Sequence, residues 1–267
     1  MRVRRPMLRT TPLLVRLMFL LIVLATSPAD AAPCAPNLSQ CPARGCAEAG
    51  TADAKVNTAK RAAPSGPLLH LTLDDLESLQ QQASAKPGVG TNRAIANRAV
   101  LQSFTSSAGT IGEGAFVQIV GFVIGLPSRP SANKGESVNC RLTGPVNNDF
   151  HIPIGRQSDD SEFEGLVVEM IPQDRPSDWT IKKLRRISKE ERRVIIRGQL
   201  FYDNKHRVND DPENDLPGQP KRFSLWEIHP VTEFFVCLRE SCDVANVATE
   251  WTKLEDVQFC GTALCTP

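Results

Sequence analysis

The chain has 267 residues, of which 23% are charged, and its formal net charge is +1 at pH 7. The first 31 residues hold five of the 31 basic residues and one of the 30 acidic residues, so the rest carries 26 basic against 29 acidic residues, a net charge of −3. A protein built mainly to coat polyanions would usually carry the opposite sign, so binding to an anionic polymer would need a local basic patch.

Residues 1–31 have the pattern of a secretory signal peptide. Arginines precede an apolar run from Leu17 to Ala25, and Ala29-Asp30-Ala31 follows. The pattern predicts export to the periplasm or the medium, with cleavage near Ala31. The apolar run is too short for a permanent membrane span, and no later stretch approaches about 20 apolar residues, so no transmembrane segment is predicted in the mature chain.

All eight cysteines follow this leader, and an even number in an exported chain favours disulfides over zinc ligands. They are Cys34, Cys41, Cys46, Cys140, Cys237, Cys242, Cys260 and Cys265. Cys140 could instead act as a nucleophile with His151 as its base, but the even count makes a disulfide the better explanation.

The segment before the main domain divides into two parts. Residues 32–67 are rich in Ala, Pro, Gly and Cys and show little apolar periodicity, which predicts an irregular segment, locally stapled. Residues 68–112 are predicted to form a short helical preface. One helix is expected over 71–85, where Thr72 and acidic residues suit a helix start, and a second over 91–104.

Residues 113–238 are predicted to be mainly β, with five strands and a helix between the third and the fourth. Strands are expected at 115–126, at 138–144 with 149–155, at 162–171, at 192–203 and at 222–238, and the helix at 176–191. Gly121 in the first strand indicates a bulge or a sharp bend. This is the element order of the OB-fold, a small Greek-key barrel. Residues 239–267 are expected to form a short helix and a cysteine-tied tail.

Several local motifs resemble those of a group of exported bacterial OB-like proteins that carry a WEIHP sequence. They are Glu136-Ser-Val-Asn-Cys140, Asp149-Phe-His151, Val168-Glu169, Asp203 and Trp226-Glu-Ile-His-Pro230. The resemblance covers residues 113–238 and implies a fold and a motif set without implying a reaction.

Two acid-x-His pairs, Asp149 with His151 and Glu227 with His229, fall in predicted strands. Because side chains alternate across a strand, each pair should share a face, opposite the apolar residues that face the core. In an OB barrel the third strand lies between the second and the fifth, so the resemblance implies that Glu169 lies between the pairs. The predicted polar patch contains Asp149, His151, Glu169, Glu227 and His229, and Arg222 is expected to aid its contact with a ligand.

This patch has three possible roles. It could contact an oligonucleotide or an oligosaccharide, the ligands that OB-folds most often serve. It could instead hold zinc, manganese or iron through His151, His229, Asp149 and Glu227, in a hydrolase of phosphodiester-like bonds with Glu169 or Glu227 as general base. The third role, a structural network of ion pairs in a periplasmic interaction module with a protein partner, is common for such clusters. A binding protein is the leading hypothesis, and no other cofactor is predicted.

The predicted helix and the segment after it supply local positive charge. The basic residues are Lys182, Lys183, Arg185, Arg186, Lys189, Arg192, Arg193 and Arg197. Such a cluster can hold phosphates or an acidic polymer, although a solvated helix face is the more common explanation. The stretch 208–220 carries four acidic residues that could attract calcium, but it lacks the spacing of an EF-hand loop and is predicted to be a flexible acidic loop.

Overall fold

The computed structural model describes residues 32–90, 93–130, 132–208 and 222–265. The predicted signal peptide, and the acidic loop from residue 209 onward, therefore lie outside the described residues. Within these ranges, no helix has the length and apolar character needed to cross a membrane.

The described residues contain four α-helices and eleven strands. The helices are α1 (Ala52–Lys60), α2 (Leu73–Ala85), α3 (Ile181–Lys189) and α4 (Val247–Glu250). The strands are β1 (Ser65–His70), β2 (Phe104–Ser106), β3 (Gly109–Ile111), β4 (Ala115–Val123), β5 (Phe150–Gly155), β6 (Leu166–Met170), β7 (Arg193–Tyr202), β8 (Trp226–Val236), β9 (Thr252–Lys253), β10 (Phe259–Cys260) and β11 (Ala263–Leu264).

Five of these strands close a β-barrel. Strand β4 pairs with β5 on one side and with β7 on the other, β5 pairs with β6, and β8 joins β6 to β7. All of these pairings are antiparallel except β6 with β8, which is parallel. Strand β1 adds to β4 and strand β9 adds to β8 outside the barrel. The predicted mainly-β barrel of five strands is confirmed, and α3 follows its third strand as expected.

The barrel interior is apolar. Phe150, Ile152 and Ile154 of β5 belong to the same buried core as Trp226 and Ile228 of β8, as the alternation of side chains predicts. Two helices contribute side chains to this core, Leu76 and Leu79 from α2 and Leu184 and Ile187 from α3. The polar residues that alternate with these apolar ones along the strands therefore lie on the outer face of the barrel.

The first predicted helix is confirmed and the second is wrong. Helix α2 begins at a capping box, in which Thr72 and Asp75 satisfy each other's backbone N–H groups. Over residues 91–104, the described part contains only a short 3₁₀ turn at Arg98–Leu101, followed by β2. The guanidinium of Arg98 donates to Glu113 at 2.6 Å and to the Tyr202 carbonyl at 2.9 Å, so tertiary contacts override local helix propensity here.

Residues 32–67 are less irregular than their composition indicates. They contain α1, which Thr51 caps by accepting a hydrogen bond from the Ala54 N–H. Small side chains let this helix approach the barrel, where the Gln199 side chain donates to the Ala59 carbonyl at 2.8 Å and Val56 is fully buried. The alanine content that suggested a linker instead permits close packing.

Two strand expectations are corrected. Residues 138–144 form turns, and Cys140 and Arg141 adopt positive φ angles of 56° each, which a strand cannot accommodate. Gly121 does not mark a bulge, since the register of β4 with β7 is continuous from Phe116 to Phe122. A Cβ at Gly121 would lie 2.6 Å from the Gly155 carbonyl oxygen, so the glycine allows β5 to approach closely.

Four disulfides account for all eight cysteines. They join Cys34 to Cys46, Cys41 to Cys140, Cys237 to Cys242, and Cys260 to Cys265. The prediction of disulfides is confirmed, and Cys140 is bonded to Cys41 and so is not a free nucleophile. The Cys41–Cys140 bond spans 99 residues of sequence and ties the segment before α1 to the loop that precedes β5.

Candidate functional site

The two acid-x-His pairs and Glu169 lie together on the outer face of β5, β6 and β8. We call Asp149, His151, Glu169, Glu227 and His229 the acid–histidine cluster. Across β5 and β6, His151 is paired with Glu169. The Glu169 carboxylate lies 3.4 Å from His151 Nε2 and 3.0 Å from His229 Nδ1, so it bridges the two imidazoles.

His229 lies at the centre of the cluster. Its Nδ1 is 3.5 Å from Glu227 Oε2, its Nε2 is 3.7 Å from Asp149 Oδ2, and the Phe201 ring packs edge-on against it. His229 and Glu227 are 0% exposed and Asp149 and Glu169 are 1% exposed, whereas the side chain of His151 is 20% exposed. Four members are therefore buried, and His151 forms the rim.

Opposing effects set the pKa values in the cluster. Burial lowers the pKa of His229, but the adjacent carboxylates of Glu169 and Glu227 outweigh burial and raise it to about 10. Burial raises the pKa of Glu169, but the positive charges of His151, Lys60 and His229 hold it well below its usual range. In the absence of other ligands, the centre of the cluster is thus a buried imidazolium–carboxylate pair.

Asp149 is positioned by the loop that carries the Glu136–Cys140 motif. Its Oδ1 accepts a hydrogen bond from the Asn139 side chain at 2.9 Å, and its backbone N–H donates to Glu136 Oε2 at 2.9 Å. Gln173 in turn donates to Asn139 at 2.8 Å. Burial and then the charge of Glu136 raise the pKa of Asp149 to about 7. The motif therefore supports Asp149.

Lys60 is a cluster neighbour that the sequence did not reveal. From the last turn of α1, its Nζ lies 2.5 Å from Asp203 Oδ2 and packs over the Phe201 ring. Burial lowers the pKa of Lys60, but the charges of Asp203, Glu169 and Glu227 outweigh it and raise the pKa well above its usual value. The sequence motifs include Asp203 but not Lys60, because Lys60 falls in a segment without apolar periodicity.

Arg222 is not a surface contact for a ligand in this structure. Its guanidinium forms an ion pair with Glu227, and both residues are 0% exposed. Arg222 therefore neutralises one carboxylate of the cluster from within the protein.

Among the described residues, two sets of carboxylate or imidazole side chains come close enough to hold a metal ion. One ligand atom each from Asp149, Glu169 and His229 lie within 4.8 Å of one another, and the same holds for Glu169, Asp203 and Glu227. The predicted metal set contained His151 and Glu227. Neither of these joins Asp149 and His229 in the described geometry, where Glu169 takes their place.

The basic helix turns its apolar side to the core. Leu184 and Ile187 pack into the core, and the cations of α3 lie on its other side. Lys183 donates to the carbonyls of Leu254 and Glu255 at 3.0 and 2.9 Å. Arg192 and Arg193 follow the helix, where Arg192 pairs with Glu190. Among the described residues, no hydrogen bond or ion pair links a cation of α3 to the acid–histidine cluster.

Two open clefts meet at Lys182 on the α3 side of the molecule, and we call them the basic clefts. The first, of about 610 Å³, has Arg129, Arg175 and Lys182 among its lining residues together with prolines and Phe150. The second, of about 440 Å³, is lined by Lys182, Arg185, Arg186, Lys189, Phe259, Gly261 and Thr262. Among the described residues that line the two clefts, none is acidic.

No family model, curated protein or solved structure matches the chain, so what these two charged regions do is inferred from their own residues.

Proposed function

We propose that the chain is an exported protein with an OB-like barrel whose basic clefts bind a single-stranded oligonucleotide. Export is inferred from the signal-peptide pattern of residues 1–31 and agrees with the four disulfides. The ligand class is inferred from the ligands that OB-folds most often bind and from the positive charge of the clefts.

The strand connections support an OB-like interpretation of the barrel. In chain order the barrel strands are β4, β5, β6, β7 and β8, and around the barrel they run β4-β5-β6-β8-β7. The parallel contact between the third and fifth of them, and α3 between the third and fourth, are what an OB-like Greek-key barrel requires.

The observation that carries the proposal is the shared position of Lys182. It lines both clefts, so the clefts adjoin there, and we infer that their cations form one track, with Arg129 and Arg175 lining the first cleft and Lys189 the second. Arg129, Lys182 and Lys189 are exposed, and none of the described residues that line the clefts is acidic, although residues 32–267 carry a net charge of −3. Such a track suits successive phosphates, which single-strand-binding grooves follow.

The same geometry argues against direct ligand contact by the acid–histidine cluster. A substrate of the metal-dependent hydrolase would have to reach His229 and Glu169, which are at most 1% exposed. The cluster is also rich in carboxylates, which repel phosphates. The clefts are therefore the better ligand surface.

The test is the binding of a fluorescent oligothymidylate of about 12 nucleotides, within the site size of OB-folds, followed by anisotropy at two salt concentrations. We expect the wild type to bind and to weaken as salt rises, and the Lys182→Glu/Lys189→Glu variant to bind at least about tenfold more weakly. Lys55→Glu/Lys205→Glu is a charge-matched control, because both lysines are exposed and line neither cleft, and Lys205 lies beside Asp53 of α1. Absence of binding at low salt, or equal loss in the control, contradicts the proposal. Preference for a sulfated oligosaccharide would replace the nucleic-acid assignment.

A further inference from the structure

The centre of the acid–histidine cluster contains buried polar atoms that lack hydrogen bonds. Asp149 Oδ2, both carboxylate oxygens of Glu169 and both ring nitrogens of His229 are buried without a hydrogen-bond partner among the described residues. They face one another at 3.0 to 3.7 Å, which is ion-pair distance. Buried polar atoms in native proteins are nearly always satisfied, so such a convergence indicates a ligand.

The two buried cations beside the cluster are assigned to other carboxylates. Lys60 is paired with Asp203, and Arg222 is paired with Glu227. The carboxylates of Asp149 and Glu169 therefore depend on imidazoles for direct charge partners.

Arg175, a further cation whose charge interacts with Asp149, is also engaged. Its guanidinium donates to the Met170 carbonyl at 2.7 Å and to the Asn148 carbonyl at 3.2 Å, and it stacks on the Phe150 ring. The centre of the cluster thus combines two buried carboxylates, one imidazole and a deficit of fixed positive charge.

We infer that Asp149, Glu169 and His229 form a binding site for one divalent transition-metal ion, zinc or manganese. Their ligand atoms already lie within 4.8 Å of one another. Two ligands about 2.0–2.2 Å from a common ion are separated by less than that, so side-chain shifts suffice to close the site. Mixed imidazole and carboxylate ligands suit zinc and manganese.

The surroundings orient Asp149 and His229. Asn139 binds Asp149 Oδ1, which directs Oδ2 toward His229 Nε2. On the other side of the ring, Nδ1 lies 3.0 Å from Glu169 Oε2 and 3.5 Å from Glu227 Oε2. Glu169 must therefore turn toward Nε2 to share an ion there, while Arg222 fixes Glu227 behind the ring. A carboxylate behind a coordinating histidine is the usual means of fixing its tautomer and orientation.

The site takes one ion rather than two. The neighbouring trio of Glu169, Asp203 and Glu227 shares one ligand with it, but Lys60 and Arg222 already neutralise the other two carboxylates. A second divalent ion would have to displace these buried cations. The expected stoichiometry is therefore one ion per chain.

The experiment uses the disulfide-bonded protein, produced without affinity-tag histidines, stripped with chelator and titrated separately with zinc and manganese. Elemental analysis after desalting should give about one equivalent for the wild type and for the control His70→Gln, whose imidazole is exposed on β1. His229→Gln and Asp149→Asn should weaken binding at least about 100-fold, because loss of an orienting partner alone costs about 10–100-fold. No bound metal, or equal retention in His229→Gln, overturns the inference.

A second readout decides the matter if these variants fail to fold. Pulsed electron paramagnetic resonance of the manganese-loaded wild type should show coupling to one imidazole nitrogen. Coupling to none, as expected for an ion held by exposed carboxylates, overturns the inference. Neither readout involves oligonucleotide binding, so the metal site and the proposed function can fail separately.

Discussion

The acid–histidine cluster and the basic clefts both concentrate charge, but the protein treats them in opposite ways. In the cluster, Glu227 and His229 are fully buried and Arg222 supplies an internal counterion. In the clefts, cations such as Lys182 and Lys189 stay exposed. A buried charge must be paired or bound by a ligand, whereas a solvated charge remains available to a large partner. Burial, rather than residue type, therefore separates an internal site from a binding surface.

The segment before β1 creates this difference. Helix α1 lies against the polar face of the barrel, brings Lys60 to Asp203, and accepts a hydrogen bond from Gln199. Disulfide Cys41–Cys140 holds the segment to the loop that positions Asp149. We call this segment before β1 the cover. Without the cover, the charged groups of the cluster should be solvated like those of an ordinary protein surface.

The largest effect is expected from Cys41→Ser/Cys140→Ser. This disulfide spans 99 residues of sequence, and loop-closure entropy predicts a loss of about 4.7 kcal/mol in the free energy of unfolding. The control is Cys260→Ser/Cys265→Ser, where the spanned five residues predict about 2 kcal/mol. Denaturant titration measures both. Equal losses would show that the Cys41–Cys140 bond does not hold the cover in place.

Loss of the Lys60 side-chain charge should be the next largest effect. Lys60→Met leaves the 0%-exposed Asp203 carboxylate without its lysine partner, and breaking a buried pair costs about 3–5 kcal/mol. Lys205→Met breaks the pair with Asp53, whose side chains are 43% and 55% exposed, and should cost less than about 1 kcal/mol. Unfolding in denaturant compares the two lysines. Similar values would contradict the role of Lys60 as an internal counterion.

Strand periodicity predicts much of the barrel and of the cluster. Every second side chain of a strand lies on the same face, and this rule does not depend on tertiary contacts. Asp149, His151, Glu227 and His229 follow from that rule. The position of Lys60 cannot be predicted in this way, because its partner Asp203 lies far away in sequence. In addition, α1 has no clear apolar stripe that would predict which face packs against the barrel. Burial of the patch depends on that same non-local docking.

The pH dependence of stability distinguishes a buried pair from a solvated one. Burial raises the pKa of Asp203, but Lys60 and His206 outweigh burial and the repulsion of Glu169, so the pKa lies well below its ordinary value of 3.8. A lowered carboxyl pKa stabilises the folded state above pH 3.8, and this stabilisation is lost progressively as the pH falls further. Asp203→Asn should therefore be less stable than the wild type at pH 7.

The difference in stability between wild type and Asp203→Asn should narrow as the pH falls below 3.8. Thermal melting across pH 2 to 7 measures this difference. Asp53→Asn is the exposed control, and its stability is expected to stay close to that of the wild type at every pH. A gap that is independent of pH would mean that Asp203 contributes through packing alone.

The smallest effect should come from Lys182→Ala in the basic clefts, where solvent already screens the charge. Loss of one phosphate contact should reduce the slope of log affinity for oligothymidylate against log salt by about 0.7. Because Lys182 lines both clefts and Lys189 lines only the second, Lys189→Ala should weaken binding less. Thermal stability should stay within about 0.5 kcal/mol of wild type in both variants, as for most surface substitutions. Equal slopes in wild type and Lys182→Ala would show that the two clefts do not act as one track, and that α3 is merely a solvated helix.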